Sequence, residues 1–398
     1  MRYERLRVEN YRCLADVDLE LGGLNILIGP NGSGKTSLLD VFQLLASGAK
    51  GELTKAISER GGLVEILTID RGPEDETARG LASSRRSDYL KVRLDTRIHG
   101  KPDALVYEVE LQPRGLGHLI ANEVLSPFQR PGKPKPFMWI TTQPGHPLYH
   151  NGQDLVPPNW DYNESELSLS QVPKTYSEAE HFRSRLASSA TYGSIELGHR
   201  APIRDPQSLE PNEFLPDASG GNLISVLYNL ENEYPDVFER LIDSLKAAFP
   251  DFQEIRFPLV AAGKATMIWK SATFRRGFYP DQISDGMLRF LWLTTLLLSP
   301  TLPPVVAIDE PEISLHPQLL MLLAGLLQEA SLRSQIFVAT HSDRLIHWVQ
   351  PSDVVVVDRE DGVSTLKRAD ALQFDLSKWL ADFSLDELWL MGQLGGRT

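Results

Sequence analysis

The sequence has very little cysteine, no long apolar segment and no excess of positive charge. Its 398 residues include one cysteine, Cys13, which excludes an internal disulfide and a cysteine-based zinc cluster. We therefore expect a reducing, cytoplasmic setting, and MRYERLRVEN at the amino terminus lacks the apolar core of a secretion signal. The longest apolar runs, 290–298 and 321–327, fall short of the ~20 residues that span a bilayer, so no membrane segment is expected.

Positive charge is scarce, since the formal net charge is −13. This balance argues against a surface coated in nucleic-acid-binding residues, although it leaves room for a local basic groove. Two small basic clusters, RPGKPKPF (130–137) and FRRGF (274–278), stand next to aromatic residues. Solvated loops are the favoured interpretation of both clusters. Hydrophobic residues make up 42% and charged residues 23% of the chain, which is typical of a folded protein.

Hydrophobic patterning indicates an α/β fold. Within residues 1–28, YERLRVENYRC and LNILIG predict two strands, and 37–48 predicts a helix that ends at a glycine. Alternating segments in 88–125 predict antiparallel strands, whereas 126–173 holds nine prolines and predicts irregular structure. Residues 286–298 predict a long apolar helix. Beyond it, apolar strands alternate with helices, which indicates a parallel sheet.

Residues 29–37, GPNGSGKTS, fit the pattern G-x-x-x-x-G-K-[ST] in full. They follow an apolar strand and open an amphipathic helix, which is the context that such a loop needs. Glycines allow backbone N–H groups to converge on one point, and the helix start adds its positive dipole end. We therefore expect a phosphate loop (residues 29–37) in which Lys35 reaches the β- and γ-phosphates and Thr36 binds Mg²⁺. The predicted nucleotide-binding residues are Gly29, Pro30, Asn31, Gly32, Ser33, Gly34, Lys35, Thr36 and Ser37.

A second motif, VVAIDEPEISLHP (305–317), begins as a buried strand and continues into adjacent acids. The carboxyl end of a central strand faces the ligand edge of a sheet, so Asp309 is predicted to hold Mg²⁺ and Glu310 to activate the attacking water. Glu312 is left open between a functional role and a surface charge. His341, in THSD at the end of the next strand, is predicted to contact the γ-phosphate. The candidate catalytic residues are Glu310, His341 and Lys35.

The order of four motifs resembles the head of an ABC-type ATPase. The phosphate loop comes first, QISDGMLR (282–289) follows about 250 residues later, and DEPEISLHP and THSD come after it. QISDGMLR resembles the signature motif of that superfamily, which caps the γ-phosphate of ATP held on the opposite chain. The resemblance implies that Ser284 supplies a hydroxyl and that Gly286 permits close backbone approach, with the helix start aimed at the phosphate. It therefore implies a homodimer that sandwiches two ATP molecules.

Finer features are similar to the RecF/SMC/OLD-like branch. DEPEISLHP and the amino-terminal ENYRCL carry this resemblance, which implies that Arg12 lies near the nucleotide. VVVVDREDGVSTLKR near the carboxy terminus and NLISVL after DASGG look like stand-alone bacterial predicted ATPases of the AAA_21 class. The resemblance implies ATP as the nucleotide and Mg²⁺ as the cofactor. Gln171 is a candidate for the glutamine that links the lobes in this superfamily, whereas Gln43 is interpreted as structural.

The resemblance implies one ABC-type ATPase domain over residues 1–398, in which a mixed or parallel sheet is flanked by helices. Its parts are an amino-terminal lobe with the phosphate loop and antiparallel strands (1–125), an irregular proline-rich insertion (126–215), a helical lobe with the signature motif (216–300) and a carboxy-terminal lobe with the acids and the histidine (301–398). Only 57 residues follow His341 and they lack the carboxylate spacing of a Toprim nuclease, so the chain is not expected to cut DNA itself. Sustained heptads are absent from the sequence, so no coiled-coil arm is expected.

Three functions remain open on the sequence. The leading hypothesis is an ATPase that dimerises on ATP and acts as a clamp or switch on double-stranded DNA, in DNA repair or phage defence. The alternative is an ATP-dependent regulatory subunit of a separately encoded nuclease or toxin, and the acidic charge favours it. A transporter ATPase subunit is disfavoured by the EPEISLHP sequence and by a signature motif that is poor in glycine.

Overall fold

The computed structural model of the protein describes residues 2–68, 87–97, 104–127, 138–360, 362–371 and 384–390. The strands are β1 (Arg2–Tyr11), β2 (Leu14–Glu20), β3 (Leu24–Ile28), β4 (Leu90–Arg97), β5 (Ala104–Arg114), β6 (Gly117–Pro127), β7 (Ile140–Gln143), β8 (His146–His150), β9 (Leu155–Val156), β10 (Ala190–Tyr192), β11 (Gln207–Ser208), β12 (Phe252–Arg256), β13 (Lys264–Ala265), β14 (Ile268–Ser271), β15 (Val305–Asp309), β16 (Gln335–Thr340), β17 (Val354–Glu360) and β18 (Val363–Arg368). The helices are α1 (Lys35–Lys50), α2 (Leu53–Glu59), α3 (Leu63–Ile66), α4 (Ser177–Ala187), α5 (Leu223–Glu233), α6 (Pro235–Ala248), α7 (Asp285–Leu298), α8 (Pro317–Ser331), α9 (Asp343–Ile346) and α10 (Leu385–Leu390).

An antiparallel sheet of the described residues has the strand order β2-β1-β4-β5-β6-β7-β8-β9. Within β1, Leu6 and Val8 are buried while the arginines beside them are partly exposed, as expected for a sheet with one covered face. The buried side chains align across strands, since Leu6 pairs with Leu19 of β2 and with Leu94 of β4. This alternation sets the register, because a slip of one residue would expose the whole apolar face.

A second, mixed sheet has the order β10-β15-β16-β3-β17-β18, in which β18 is antiparallel to its neighbour. All five residues of β3 are buried, which is typical of a strand covered on both faces. Because β15, β16 and β3 are adjacent and parallel, their carboxyl ends meet at one edge, with Asp309 beside Ala339 and Thr340 beside Ile28. The phosphate loop, the acidic motif and the THSD motif therefore begin side by side.

The mixed sheet is the central layer between two apolar cores. Ile26 and Ile28 pack with helices α5 to α8, whereas Leu27 between them packs with α1 and the antiparallel sheet. On the α1 side, the ring centroids of Phe42 and Phe337 lie 4.5 Å apart. Each strand thus buries alternate side chains in two different cores, which places α1 and α7 on opposite faces of the sheet that carries the motifs.

The predicted α/β class is confirmed, with antiparallel strands, a mixed sheet and flanking helices. The first 28 residues hold three strands and not the predicted two, because LADVDLE forms β2 with its apolar side chains on the buried face. The helical lobe also contains β12 and β14, which form a small antiparallel sheet. No helix within the described residues is long and apolar enough to cross a bilayer.

The described part of the proline-rich insertion differs from the irregular structure expected over 126–215. Strands β7 and β8 extend the antiparallel sheet around a turn at Gly145, whose φ is 74°. Helix α4 contacts α1, and β10 joins the edge of the mixed sheet beside β15. Among the described prolines of this segment, Pro147 lies within β8, Pro202 opens a short 3-10 helix, and the others lie at strand ends or in connections. Proline content is therefore a poor predictor of irregular structure in this segment. The division of the chain into four parts stays a prediction.

Candidate nucleotide-binding site

The phosphate loop joins β3 to α1 and is shaped by its glycines. Gly34, just before α1, has φ of 111°, which residues with a Cβ rarely adopt. A Cβ on Gly29 would stand 2.0 Å from the Val357 carbonyl oxygen, so that position also requires glycine. Lys35 folds back over the loop, and its Nζ donates to the Gly29 and Pro30 carbonyls at 2.9 Å each. The loop therefore has the closed backbone shape that a phosphate site requires.

The other predicted residues of the phosphate loop differ in exposure. Asn31, Gly32 and Thr36 are exposed, whereas Ser33 is buried and its hydroxyl has no hydrogen-bond partner among the described residues. Ser37 lies within α1, and its Oγ is 3.7 Å from the Sγ of Cys13. The exposed members can contact a ligand directly, whereas Ser33 is buried and Ser37 is half-buried on α1.

Lys35 is the buried cation of the site, with 4% of its surface exposed. Burial lowers the pKa of its ammonium to about 8, against the opposing effect of Asp309, Glu310 and Glu312. The Nζ also lies 3.5 Å from Nδ1 of His341. A bound phosphate would favour the charged ammonium, so ligand binding and protonation of Lys35 are coupled.

Asp309 and Thr36 face each other at the sheet edge. The Thr36 hydroxyl donates to Asp309 Oδ2 at 3.2 Å. Burial raises the pKa of the Asp309 carboxyl, although the Thr36 hydroxyl lowers it. A hydroxyl and a desolvated carboxylate at this separation fit Mg²⁺, which takes its remaining oxygens from phosphates and water. The described residues contain no group of three or more His, Cys, Asp or Glu side chains that could hold a metal.

Glu310 follows Asp309 in a strained conformation, with φ of 48°. Its amide donates to the Ala339 carbonyl at 2.8 Å, which holds the end of β15 against β16. Glu310 Oε1 lies 3.5 Å from His341 Nε2, and the two side chains are 38% and 36% exposed. The carboxylate thus reaches solvent beside the phosphate loop, where a general base can meet water.

Glu312, which the sequence left open, is not a surface charge. Its Oε1 accepts from the Thr340 hydroxyl at 2.6 Å and from the His341 amide at 3.0 Å. Its Oε2 is buried without a hydrogen-bond partner among the described residues. Glu312 therefore fixes the backbone that carries His341. The signal in the sequence was its spacing, two residues after Glu310 at the same strand end.

Arg12 lies beside α1, where its guanidinium pairs with Asp40. The Nη2 of Arg12 is 2.8 Å from Asp40 Oδ2, and Tyr11 and Arg60 bond to the same carboxylate. Although burial favours the neutral acid, these hydrogen bonds hold the pKa of Asp40 below its usual range. Within the described residues, no hydrogen bond or ion pair joins Arg12 to the phosphate loop. Its contact with a nucleotide stays a prediction.

Ser284 and Gly286 lie at the start of α7. Ser284 is exposed and caps the helix, accepting from the Met287 amide at 3.4 Å. A Cβ on Gly286 would stand 2.5 Å from the Ser314 carbonyl oxygen, so the helix start packs on the turn after Glu310. In the part of the chain that the structure describes, neither residue hydrogen-bonds to the phosphate loop. The two halves of the predicted site are not joined within one chain, and the role of Ser284 and Gly286 stays a prediction.

Four other features singled out in the sequence lie outside the phosphate loop. The Gln171 amide bonds to the backbone of Asn163 and Glu166, which leaves it committed to a local turn, and Gln43 is exposed on α1. The basic cluster at 130–137 lies outside the described residues. The 274–278 cluster borders an apolar groove of about 630 Å³ that also reaches Ser284.

Two buried arginines of the signature region were missed. Arg204 is 8% exposed, and its Nη2 donates to Asp285 at 2.6 Å while Nη1 donates to the Ile283 carbonyl at 2.9 Å. Arg289 is 4% exposed, and its Nη1 donates to the Glu310 carbonyl at 3.3 Å. A buried arginine has no local sequence signature, because burial depends on segments that are distant in the chain.

Two residues of the β17–β18 hairpin were also missed. Arg359 Nη1 donates to the Gly32 carbonyl at 3.1 Å, and Ser364 Oγ donates to the Ser33 carbonyl at 2.5 Å. Both residues meet the phosphate loop only because β17 pairs with β3. The sequence gives the strand but not its neighbour, so no motif pointed to these contacts.

Family models match both parts of the chain that hold the site. Residues 149–347, half of the chain, match the AAA_21 family, described as an AAA domain, putative AbiEii toxin, type IV TA system. Residues 1–83 match the AAA_15 family, described as an AAA ATPase domain. These two ranges include the phosphate loop, the signature motif, the acids and His341.

Curated relatives match shorter stretches. An OLD nuclease from Thermus scotoductus is 52% identical over 42 residues, which are 11% of this chain and 8% of that protein. The DNA replication and repair protein RecF of Yersinia enterocolitica is 38% identical over 99 residues, 24% of this chain and 27% of that protein. RecF of Actinobacillus succinogenes is 33% identical over 130 residues, 29% and 34% of the two chains. The chain thus spans about a third or less of these relatives.

Solved structures share the fold over most of the chain. An Smc head bound to the C-winged helix domain of ScpA has a TM-score of 0.51 at 14% identity, covering 92% of this chain and 98% of that one. An Smc head domain with an extended coiled coil, bound to the C-terminal domain of ScpA derived from Pyrococcus furiosus, has a TM-score of 0.50 at 12% identity, covering 96% and 98%. The likeness at this identity concerns the fold alone, and it agrees with an ABC-type head of the RecF/SMC/OLD-like branch. With its family match over half of the residues, the chain belongs to the AAA_21 family.

Proposed function

We propose that the protein binds ATP with Mg²⁺ at the phosphate loop and hydrolyses it. The observation that carries the proposal is a series of close pairs at one sheet edge. Thr36 lies 3.2 Å from Asp309, Lys35 lies 3.5 Å from His341, and His341 lies 3.5 Å from Glu310. These side chains lie at or just beyond the carboxyl ends of three parallel strands, β3, β15 and β16. The matches to AAA ATPase families support the same reaction.

Each side chain has a distinct task in this proposal. Lys35 binds oxygens of the β- and γ-phosphates, and His341 contacts the γ-phosphate. Glu310 accepts a proton from the attacking water, for which its exposed carboxylate is suited. Mg²⁺, held by Thr36 and Asp309, would neutralise charge that develops on the phosphate oxygens.

We further propose that ATP joins two copies of the chain. Ser284 is exposed at the start of α7, and its hydrogen bond is to the helix itself. A helix start attracts phosphate through its free N–H groups and its dipole. In the described residues, this helix start is not hydrogen-bonded to the phosphate loop of its own chain. It would therefore cap the γ-phosphate of the ATP that a second copy holds.

Glu310→Gln tests both parts of the proposal, because it removes the base and nearly keeps the side-chain shape. We expect the variant to bind ATP while steady-state hydrolysis falls by about 10²–10⁴-fold, the usual contribution of a general base. Light scattering after size exclusion in Mg-ATP should show a trapped dimer. Adding Ser284→Arg to Glu310→Gln is the control, which should bind ATP and remain a monomer.

The outcomes separate the two parts. Hydrolysis at the parent rate in Glu310→Gln contradicts the assignment of the base. A Glu310→Gln protein that binds ATP and stays monomeric at saturation contradicts the proposed dimer, while leaving the nucleotide site in place.

For the biological role, we propose an ATP-driven clamp or switch on double-stranded DNA, in DNA repair or phage defence. Similarity to proteins named DNA replication and repair protein RecF supports it. Linear duplex DNA should raise the steady-state ATPase rate at low salt, and the stimulation should fade at moderate salt because phosphate contacts release counterions. Glu310→Gln gives the blank rate. A steady-state ATPase rate that DNA does not change at any salt concentration argues against the clamp.

A second candidate is an ATP-dependent regulatory subunit of a separately encoded nuclease or toxin. The family description, which names a putative toxin and a type IV TA system, favours it, and so does the net charge of −13. This role predicts an ATPase rate that is indifferent to DNA and copurification with an effector from the native lysate in the presence of ATP. A chain that purifies alone under those conditions contradicts it.

A further inference from the structure

The β17–β18 hairpin contacts the phosphate loop at three residues, Gly29, Gly32 and Ser33. Gly29 packs on the Val357 carbonyl, Gly32 accepts from Arg359, and Ser33 accepts from Ser364. The hairpin thus follows the loop along its length. Two of the three supports are neutral groups, a carbonyl and a hydroxyl, whereas the middle one carries a full positive charge.

The Arg359 guanidinium has more hydrogen-bond donors than its contact with the phosphate loop requires. Its side chain is exposed, and it forms no ion pair with any carboxylate in the described residues. A guanidinium carries five N–H donors in a planar fork, and the Gly32 carbonyl engages Nη1. The remaining donors and the full positive charge are therefore available to a bound phosphate at the rim of the loop.

The strand order decides which end of a nucleotide Arg359 would meet. β15 and β16, which lead to Glu310 and His341, lie on one side of β3, and β17 lies on the other. The phosphate that is hydrolysed has to lie beside Glu310 and His341. A group on β17 therefore stands toward the opposite end of the phosphate chain, where the α-phosphate joins the nucleoside.

We propose that Arg359 is a nucleotide-binding residue that contacts the α-phosphate end of the nucleotide held at the phosphate loop. This inference rests on the proposed ATP site and adds a second cation to Lys35. Since ATP and ADP share the α-phosphate, Arg359 contributes to the binding of both, whereas a γ-phosphate contact would distinguish them. Its charge, and not only its hydrogen bond to Gly32, carries the effect.

The test is calorimetric titration of ATP and ADP into Arg359→Gln, in a Glu310→Gln background that preserves ATP. Glutamine removes the charge and, being shorter than arginine, also withdraws the donor from the Gly32 carbonyl. The salt dependence and the Arg359→Lys variant therefore separate the charge from the loop contact. We expect affinity for both nucleotides to fall by the same factor, about three- to tenfold for one charge at this range, and the factor to shrink as salt rises. Arg359→Lys should retain most of the affinity. Arg114→Gln, which changes an exposed arginine at the end of β5, should leave the affinities for ATP and for ADP unchanged.

Each alternative result has a defined meaning. Equal affinities in Arg359→Gln and its parent overturn the inference, and so does a loss confined to ATP, which would assign Arg359 to the γ-phosphate. If Arg359→Lys loses as much affinity as Arg359→Gln, the residue only supports the loop and the inference is wrong. A parent that binds neither nucleotide overturns the proposed ATP site itself, which is a separate failure because the parent is titrated alongside.

Discussion

Raising the pH should weaken ATP binding, because Lys35 is a buried cation whose charge the phosphates need. Burial lowers the pKa of its ammonium to about 8, so the empty site loses its positive charge as the pH rises through that value. Bound phosphate favours the protonated ammonium and raises its pKa again. Binding above this pH therefore takes up a proton, and the affinity declines as the pH increases.

The magnitude follows from the two protonation states of Lys35. If bound phosphate restores the pKa of Lys35 from about 8 to the ordinary 10.5 of a lysine, affinity for ATP should fall about eightfold between roughly pH 7.5 and pH 9. That factor corresponds to about 1.2 kcal/mol of binding free energy. A lysine with its ordinary pKa in the empty site would give almost no change over the same interval.

Calorimetric titration with ATP in EDTA measures this effect without a metal ion to alter the charge of the site. Two buffers of different ionisation enthalpy report the proton uptake, which should grow from about a quarter of a proton to most of one over this pH interval. A Cys13→Ser background removes the single thiol of the chain from the titration. Lys35→Met is the matched variant without the ammonium, and its weaker affinity should not depend on pH.

Two results would refute the reasoning. Wild-type affinity that stays constant to about pH 9 would mean that Lys35 keeps its ordinary pKa and is solvated in the empty site. A decline that persists unchanged in Lys35→Met would assign the dependence to another group. Proton uptake without a change in affinity is excluded by linkage, so the two readouts check each other.

Three other perturbations test the surroundings of the site. Glu312→Gln should lower kcat about tenfold with little change in KM, because the carboxylate that accepts from the His341 amide is lost. An unchanged kcat in steady-state assays would contradict a positioning role of Glu312. Gly286→Ala should reduce the free energy of unfolding by about 1–3 kcal/mol, since its Cβ would overlap the Ser314 carbonyl; denaturant titration at parent stability would contradict that packing. Glu123→Gln should cost about 1–3 kcal/mol near pH 5, because the fully buried carboxyl accepts two backbone N–H bonds. The loss of unfolding free energy relative to the wild type should become smaller toward pH 8. Burial raises the pKa of Glu123, so the wild type loses stability as the pH rises. A loss that grows with pH would contradict this direction of the pKa shift.

The positions of the motifs were predictable because each is a local pattern at the end of an apolar strand. GPNGSGKTS follows such a strand, whereas AIDEPE and VATHSD begin with the last residues of one, and parallel strands deliver their carboxyl ends to one edge. The sequence therefore indicated that Lys35, Asp309 and His341 would meet, and the structure brings them together. The catalytic roles of Lys35 and His341 and the metal-binding role of Asp309 stay predictions, since the geometry is compatible with them but does not test them.

The contacts that escaped prediction depend on which strands become neighbours. β10 is only three residues long and comes from the proline-rich insertion, yet it pairs with β15. Arg359 reaches the phosphate loop because β17 lies beside β3. Strand pairing joins residues that are hundreds of positions apart, and no periodicity within either segment encodes the partner.

Glu310 shows why a motif can name a residue but not its conformation. A φ of 48° costs a glutamate on the order of 1–3 kcal/mol, so it persists only when the surroundings hold it. Here the Glu310 amide is held by the Ala339 carbonyl of β16 and the Glu310 carbonyl by Arg289 of α7. The turn is also packed by Gly286, the second residue of α7, against the Ser314 carbonyl. The backbone of Glu310 is thus held jointly by the strand that leads to His341 and by the helix that begins at the signature motif, so we expect a displacement of that helix start to reach Glu310.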